Sequence, residues 1–222
     1  MAEISTPKLI VFATLALPLI CHAAISPTSP SIEIQKALRL PLSRRIESIE
    51  RQGLAGRKEL EKIAFDQNEA LENRWRAVTA MGRTYGPKAQ DFLEQALKSS
   101  EWFMRNSATI VLQYGNRAWA IRWAEAMLSD PALVVRTAAV DTLRNLNAVE
   151  ARDILWQKLY NAQNYRAGHS LWIRHHILTA LVQFATPGQE GLFQAALNDK
   201  DSTLKPIAKQ GLDKIRAQKF TR

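Results

Sequence analysis

The stretch that decides the fold is Asp130-Pro131-Ala132-Leu133-Val134-Val135-Arg136-Thr137-Ala138-Ala139-Val140-Asp141-Thr142-Leu143. Ala139, Leu143 and Leu146 follow Arg136 by three, seven and ten places, a spacing that gathers them on one face of a helix. Asp130-Pro131 has the chemistry of an N-cap followed by a proline in the first turn. The same arrangement returns along the chain, and its return matters more than any single copy.

The copies are Asn73-Arg74 with Ala77 and Met81; Met104-Arg105 with Ala108 and Leu112; Ile173-Arg174 with Ile177, Leu181 and Phe184; and Leu204-Lys205 with Ala208, Leu212 and Ile215. The basic residues are 31, 31, 38 and 31 positions apart, a fixed period with one seven-residue insertion. A second apolar stripe follows each break: Phe92, Leu93, Ala96 and Leu97; Trp123, Ala124, Met127 and Leu128; Ile154, Leu155 and Leu159; Leu192, Phe193, Ala196 and Leu197. Gly86-Pro87, Gly115-Asn116, Asn147 and Pro187-Gly188 end the first helices. Each unit is thus two antiparallel helices. Neither helix pair buries its stripe alone, so the units must stack, and the chain is expected to be an all-α solenoid of about five to six repeats. Leu54 to Asp66 is the second helix of a degenerate amino-terminal unit whose first helix lies between Pro41 and Gln52, and the charged run Asp213 to Arg222 caps the other end.

Composition agrees with one such array. The 222 residues are 46% hydrophobic and 23% charged, which excludes disordered and collagen-like classes. Lys8, the apolar run Leu9 to Ile20 and the small residues after Pro18 have the layout of a secretory signal, with cleavage expected after Ala23 or Ala24. The twelve apolar residues are too few to span a bilayer comfortably. Residues 25–31 form an expected flexible linker and 32–222 the solenoid domain. Cleavage would remove the one cysteine, Cys21, and with it any disulfide or thiolate chemistry. A periplasmic or secreted location follows. The formal charge of +9 favours an acidic partner or envelope component.

The decisive segment resembles a HEAT repeat, of the short variety first noted in phycobilin lyases. That resemblance implies an interaction scaffold, with the repeated Arg74, Arg105, Arg136, Arg174 and Lys205 tying one repeat to the next and the second helices lining a groove. Two other functions belong to proteins with such repeats: chromophore lyases or their regulatory subunits, and nucleic-acid-binding proteins with basic grooves. Both work inside the cell, against the signal.

Alignment of the units sorts the tryptophans. Trp123 and Trp102 fall in line with apolar residues and are expected in the core. Trp156 stands where other units have Glu94, Glu125 and Gln194; Trp119 stands where they have Lys88, Glu150 and Gly188; Trp75 replaces Asn106, Thr137 and His175. An aromatic at an exposed position leaves apolar area for a partner. Trp119, Arg122, Arg152 and Trp156 are therefore the main binding candidates, with Trp75 beside them and with Tyr165 and Arg166 on the insertion, Asn161 to Ser170. The histidines His169, His175 and His176 lack metal-ligand spacing, because adjacent helical residues point about 100° apart. No phosphate loop, metalloprotease motif or nucleophile elbow occurs, so neither catalytic residues, metal nor cofactor is expected.

Overall fold

The computed structural model describes residues 29–220. The expected signal peptide, with Cys21, and the first part of the linker lie outside the described residues. The chain is already helical at Pro30, whose fixed φ suits a first helical turn, so helix is present two residues before the expected Ile32, inside the expected linker. Twelve α-helices follow: α1 Pro30–Leu38, α2 Leu42–Glu50, α3 Gly53–Phe65, α4 Leu71–Tyr85, α5 Gln90–Leu97, α6 Trp102–Val111, α7 Arg117–Met127, α8 Leu133–Asn145, α9 Arg152–Leu159, α10 Ile173–Gln183, α11 Glu190–Leu197 and α12 Lys205–Phe220. The fold is an all-α solenoid. Helices α2 and α3 are the degenerate unit expected from the sequence, and α1 is an additional helix packed on both. Among the described residues no helix is long and apolar enough to cross a membrane.

Breaks between helices follow their local chemistry. Gly86 closes α4 at φ 50°, a left-handed conformation that a Cβ disfavours. Asn147 takes φ 49° after α8, and the backbone N–H of Ala148 reaches the carbonyl of Leu143, as in a Schellman ending. Asn116 caps α7 by accepting from the backbone N–H of Trp119. Asp130-Pro131 is not the cap of α8, as the sequence suggests: the helix starts at Leu133, and Asp130 accepts from the N–H of Ala132 instead.

Packing is unequal between the two helix layers. The first helices α4, α6, α8, α10 and α12 pack side by side along the array, whereas the second helices α5, α7, α9 and α11 pack mainly on the first helix that follows them and scarcely touch one another. Close spacing in one layer and wide spacing in the other bend a stack toward the close layer. The first helices therefore line the inner side, in place of the second helices that the family resemblance implies.

Small residues make the close layer possible. The hydroxyl of Thr142 on α8 donates to the carbonyl of Thr109 on α6 at 2.9 Å. A Cβ on Gly82 would lie 2.4 Å from Cγ2 and 2.6 Å from Cβ of Val111. Gly82→Ala should therefore cost about 1–3 kcal/mol by overpacking, where an exposed helical glycine would gain up to about 1 kcal/mol from the same change. Urea denaturation gives the sign, and Val111→Ala in the same background should recover part of the loss.

Candidate functional site

Four of the five repeated basic residues, Arg74, Arg105, Arg136 and Arg174, form a ladder between repeats. Arg74 donates to Glu101 with Nη1 at 3.0 Å and to the carbonyl of Ala64 at 3.0 Å. Arg105 Nε reaches Asp130 at 2.6 Å, and Arg174 Nη2 reaches Asp199 at 2.6 Å. Each acid stands just ahead of the next first helix, so every rung fixes one unit against its successor. The carboxylates of Asp130 and Asp199 thus pair with the arginine of the preceding repeat, while Arg136, six residues beyond Asp130, takes its main-chain carbonyl. Hydrogen bonding to Asp130 pushes Arg105 further up.

The insertion supplies the one rung without an acid. Arg136 donates to the side-chain oxygen of Asn164 at 3.2 Å and to the carbonyls of Gln163, Asp130 and Pro131; burial pulls its pKa down. The insertion then makes a hairpin, β1 Tyr165–Arg166 paired with β2 His169–Ser170. Its two-residue turn has φ 49° at Ala167 and 79° at Gly168, the signs that a type I′ hairpin turn requires. Tyr165 lies under the Arg174 guanidinium, 4.7 Å from ring centre to Cζ. Burial raises its phenol pKa. Arg166 is exposed on the hairpin.

The expected groove of tryptophans does not form. Trp119 is 9% exposed and Trp156 7%, because each fills a gap between the spread second helices. Trp119 turns back toward α5 and donates its indole N–H to Glu94 at 2.9 Å; that hydrogen bond, above all, lowers the Glu94 pKa. Trp156 turns forward to α11 and meets Phe193 edge-on at 5.0 Å. Arg122 is exposed, Arg152 reaches Thr186 at 3.3 Å, and the four residues share no groove. Trp75 and Trp123 are half-buried against the core. Trp102, expected inside, is 52% exposed, since it opens the first turn of α6.

Four of the exposed large apolar residues stand on a different surface. Leu71, Trp102, Val134 and Trp172 are 55%, 52%, 44% and 52% exposed, and all four stand at the beginnings of successive first helices. They follow one edge of the inner layer. Between Val134 and Trp172 opens a cleft of about 310 Å³, into which Asn106, Ile110, Ala138 and Asp141 also face. Trp172 meets the ring of His176 edge-on at 4.4 Å, and Nδ1 of His176 lies 2.9 Å from Asp141 Oδ1.

The sequence reading missed Trp172 because it sits one place beyond the aligned apolar Leu171, level with Glu72, Phe103, Val134 and Thr203. The tryptophan at a place of mixed polarity was the available signal. A larger cleft, about 570 Å³, lies between the hairpin, the start of α10 and the segment 199–203 ahead of α12. Its Arg174 and Asp199 answer each other, and His175 lies 2.5 Å from Thr203, itself bonded to Asp201. The histidines diverge: His175 faces Thr203, His176 faces Asp141, and His169 is exposed on the hairpin.

No family model matches the chain, and no curated protein does. Among solved structures, an engineered protein from a structural genomics consortium superposes with a TM-score of 0.50 at 14% identity, covering 86% of this chain and 93% of its own. The complex of CpcE and CpcF of phycocyanin lyase from Nostoc sp. gives a TM-score of 0.46 at 17% identity, covering 91% of this chain and 79% of its own.

Proposed function

We propose that this chain is an exported, non-enzymatic scaffold that binds a protein partner along the inner, first-helix layer. The observation that carries the reading is the row Leu71, Trp102, Val134 and Trp172, each at least 44% exposed at the start of a first helix. Aromatic anchors set in partly apolar clefts are the usual sources of binding energy at protein interfaces, and large apolar side chains left exposed at the starts of four successive first helices are explained by a partner that covers them. The cleft beside Trp172 has no lysine or arginine in its lining, which disfavours nucleic acid, since phosphates are held by such cations. Export rests on the signal-like residues 1–24 and places the partner in the envelope.

Site-specific photocrosslinking in the native host tests both parts. A photoreactive residue at Trp172 or Trp102 should join the full-length tagged chain to one protein, and the same residue at Arg122, on the outer layer, should not. Equal labelling at all three positions, or none at the inner two, overturns the reading. Mass determination of the amino terminus in each cell fraction tests the address separately: a periplasmic species starting near Ala24 or Ile25 is expected, and an intact cytoplasmic chain would defeat export alone.

A further inference from the structure

We infer that the cleft beside Trp172 is a pocket for one cationic side chain, a lysine or arginine presented by the partner. This deepens the binding reading above and rests on it. The chain as a whole has 30 Lys and Arg against 21 Asp and Glu, yet the cleft lining holds a single charged residue, Asp141. The lining therefore holds none of the molecule's excess cations, and Arg144 meets Asp141 from outside it.

The groups in the cleft match the parts of a long basic side chain. Ile110, Val134 and Ala138 give an apolar wall for the methylene stem. The half-exposed ring of Trp172 gives an aromatic surface that favours a cation, and most strongly a guanidinium. Asp141 Oδ1 is engaged by His176 at 2.9 Å and by Arg144 at 3.4 Å, and with the side chain 33% exposed part of the carboxylate surface stays open to the cleft. The amide of Asn106 lines the same cleft and offers its oxygen to an incoming N–H.

Other occupants fit less well. An anion would face Asp141 with no cation in the lining to hold it. A wholly apolar side chain would strip water from the open part of the Asp141 carboxylate and from the Asn106 amide and offer neither a hydrogen bond in return. A cation satisfies each group it covers, and the volume of about 310 Å³ is enough for one such side chain.

The test is a titration of the full-length, isotopically labelled chain followed by amide and indole NMR, with N-acetyl-arginine methylamide as probe and the norleucine and glutamate analogues as uncharged and acidic comparisons. The Trp172 indole and Asn106 amide signals should move saturably with the arginine probe, with a millimolar Kd about tenfold below that of either comparison. Asp141→Asn should weaken arginine binding by about fivefold and leave the norleucine analogue unaffected, and Trp172→Ala should remove binding of both. Norleucine binding as tight as arginine, a response unchanged in Asp141→Asn, or no saturable shift by about 50 mM each overturns the pocket. Because the probe is free in solution, a pass here with failed crosslinking would sink the protein-scaffold reading and not the pocket, and the reverse result would sink the pocket alone.

Discussion

Trp156→Ala is expected to lower the unfolding free energy by about 3–5 kcal/mol, the usual cost of emptying a buried tryptophan site, while Trp172→Ala should change it by no more than about 0.5 kcal/mol. The contrast follows from 7% against 52% exposure. Trp156 bridges α9 and α11, helices that barely meet otherwise, so removing it opens a gap that neighbouring side chains cannot close. Its indole N–H is buried without a hydrogen-bond partner, a group whose desolvation works against the fold. Trp156→Phe should therefore lose much less than alanine, below about 1.5 kcal/mol, because a phenyl ring keeps part of the edge contact with Phe193 and has no N–H to leave unpaired. Urea denaturation of the three variants measures the order. A Trp172→Ala loss as large as that of Trp156→Ala would mean that the inner-layer tryptophan is a structural residue.

The period of the basic residues was enough to place the helices, since a repeat constrains both partners of every stacking contact at once. The degenerate unit, whose second helix buries Leu60, Ile63 and Ala64 and half-buries Phe65, shows how far that reading extends. What the sequence could not convey was the spacing of the two layers. Trp119 and Trp156 look exposed because their counterparts are Glu, Lys, Gln or Gly, an inference that holds only if all second helices have equivalent neighbours. They do not: Glu94, the polar counterpart of Trp156, is itself the hydrogen-bond acceptor of Trp119. Trp102 fails in the opposite sense, because apolar alignment at a first-turn position does not guarantee burial, and the equivalent Leu71 is exposed as well. The same misreading hid the inner-layer row. Net charge describes the whole surface and does not report the lining of one cleft, where Asp141 is the charged residue.

The Arg174–Asp199 rung should give the largest single-site loss of stability by a charge. Arg174 is 1% exposed and Asp199 10%, and the guanidinium also donates to the carbonyl of Leu159 at 2.8 Å and to Ser170 at 3.1 Å. Arg174→Met leaves a largely buried carboxylate without its cation, and about 3–5 kcal/mol should be lost. The pair itself does not stabilise by that amount, because both charges were desolvated to make it. Arg174→Met combined with Asp199→Leu should accordingly recover a large part, short of full recovery by the stranded Leu159 carbonyl. The pH dependence separates this account from a mere packing loss. Burial pushes the Asp199 carboxyl up, but the Arg174 hydrogen bond, the N–H of Asp201 and the guanidinium charge outweigh it, and the net pKa is lowered. A carboxyl held lower in the folded state than in the unfolded chain contributes stability that is present above the ordinary aspartate value of about 3.9 and is lost as pH falls through the folded value. Stability of the natural sequence should therefore drop on acidification below about pH 5, and Asp199→Asn should flatten that part of the curve while starting lower at neutral pH. An unchanged acid slope in Asp199→Asn would show that the rung carries no proton linkage and that the cost of Arg174→Met is lost volume, since only an ionised Asp199 ties the arginine to the following repeat.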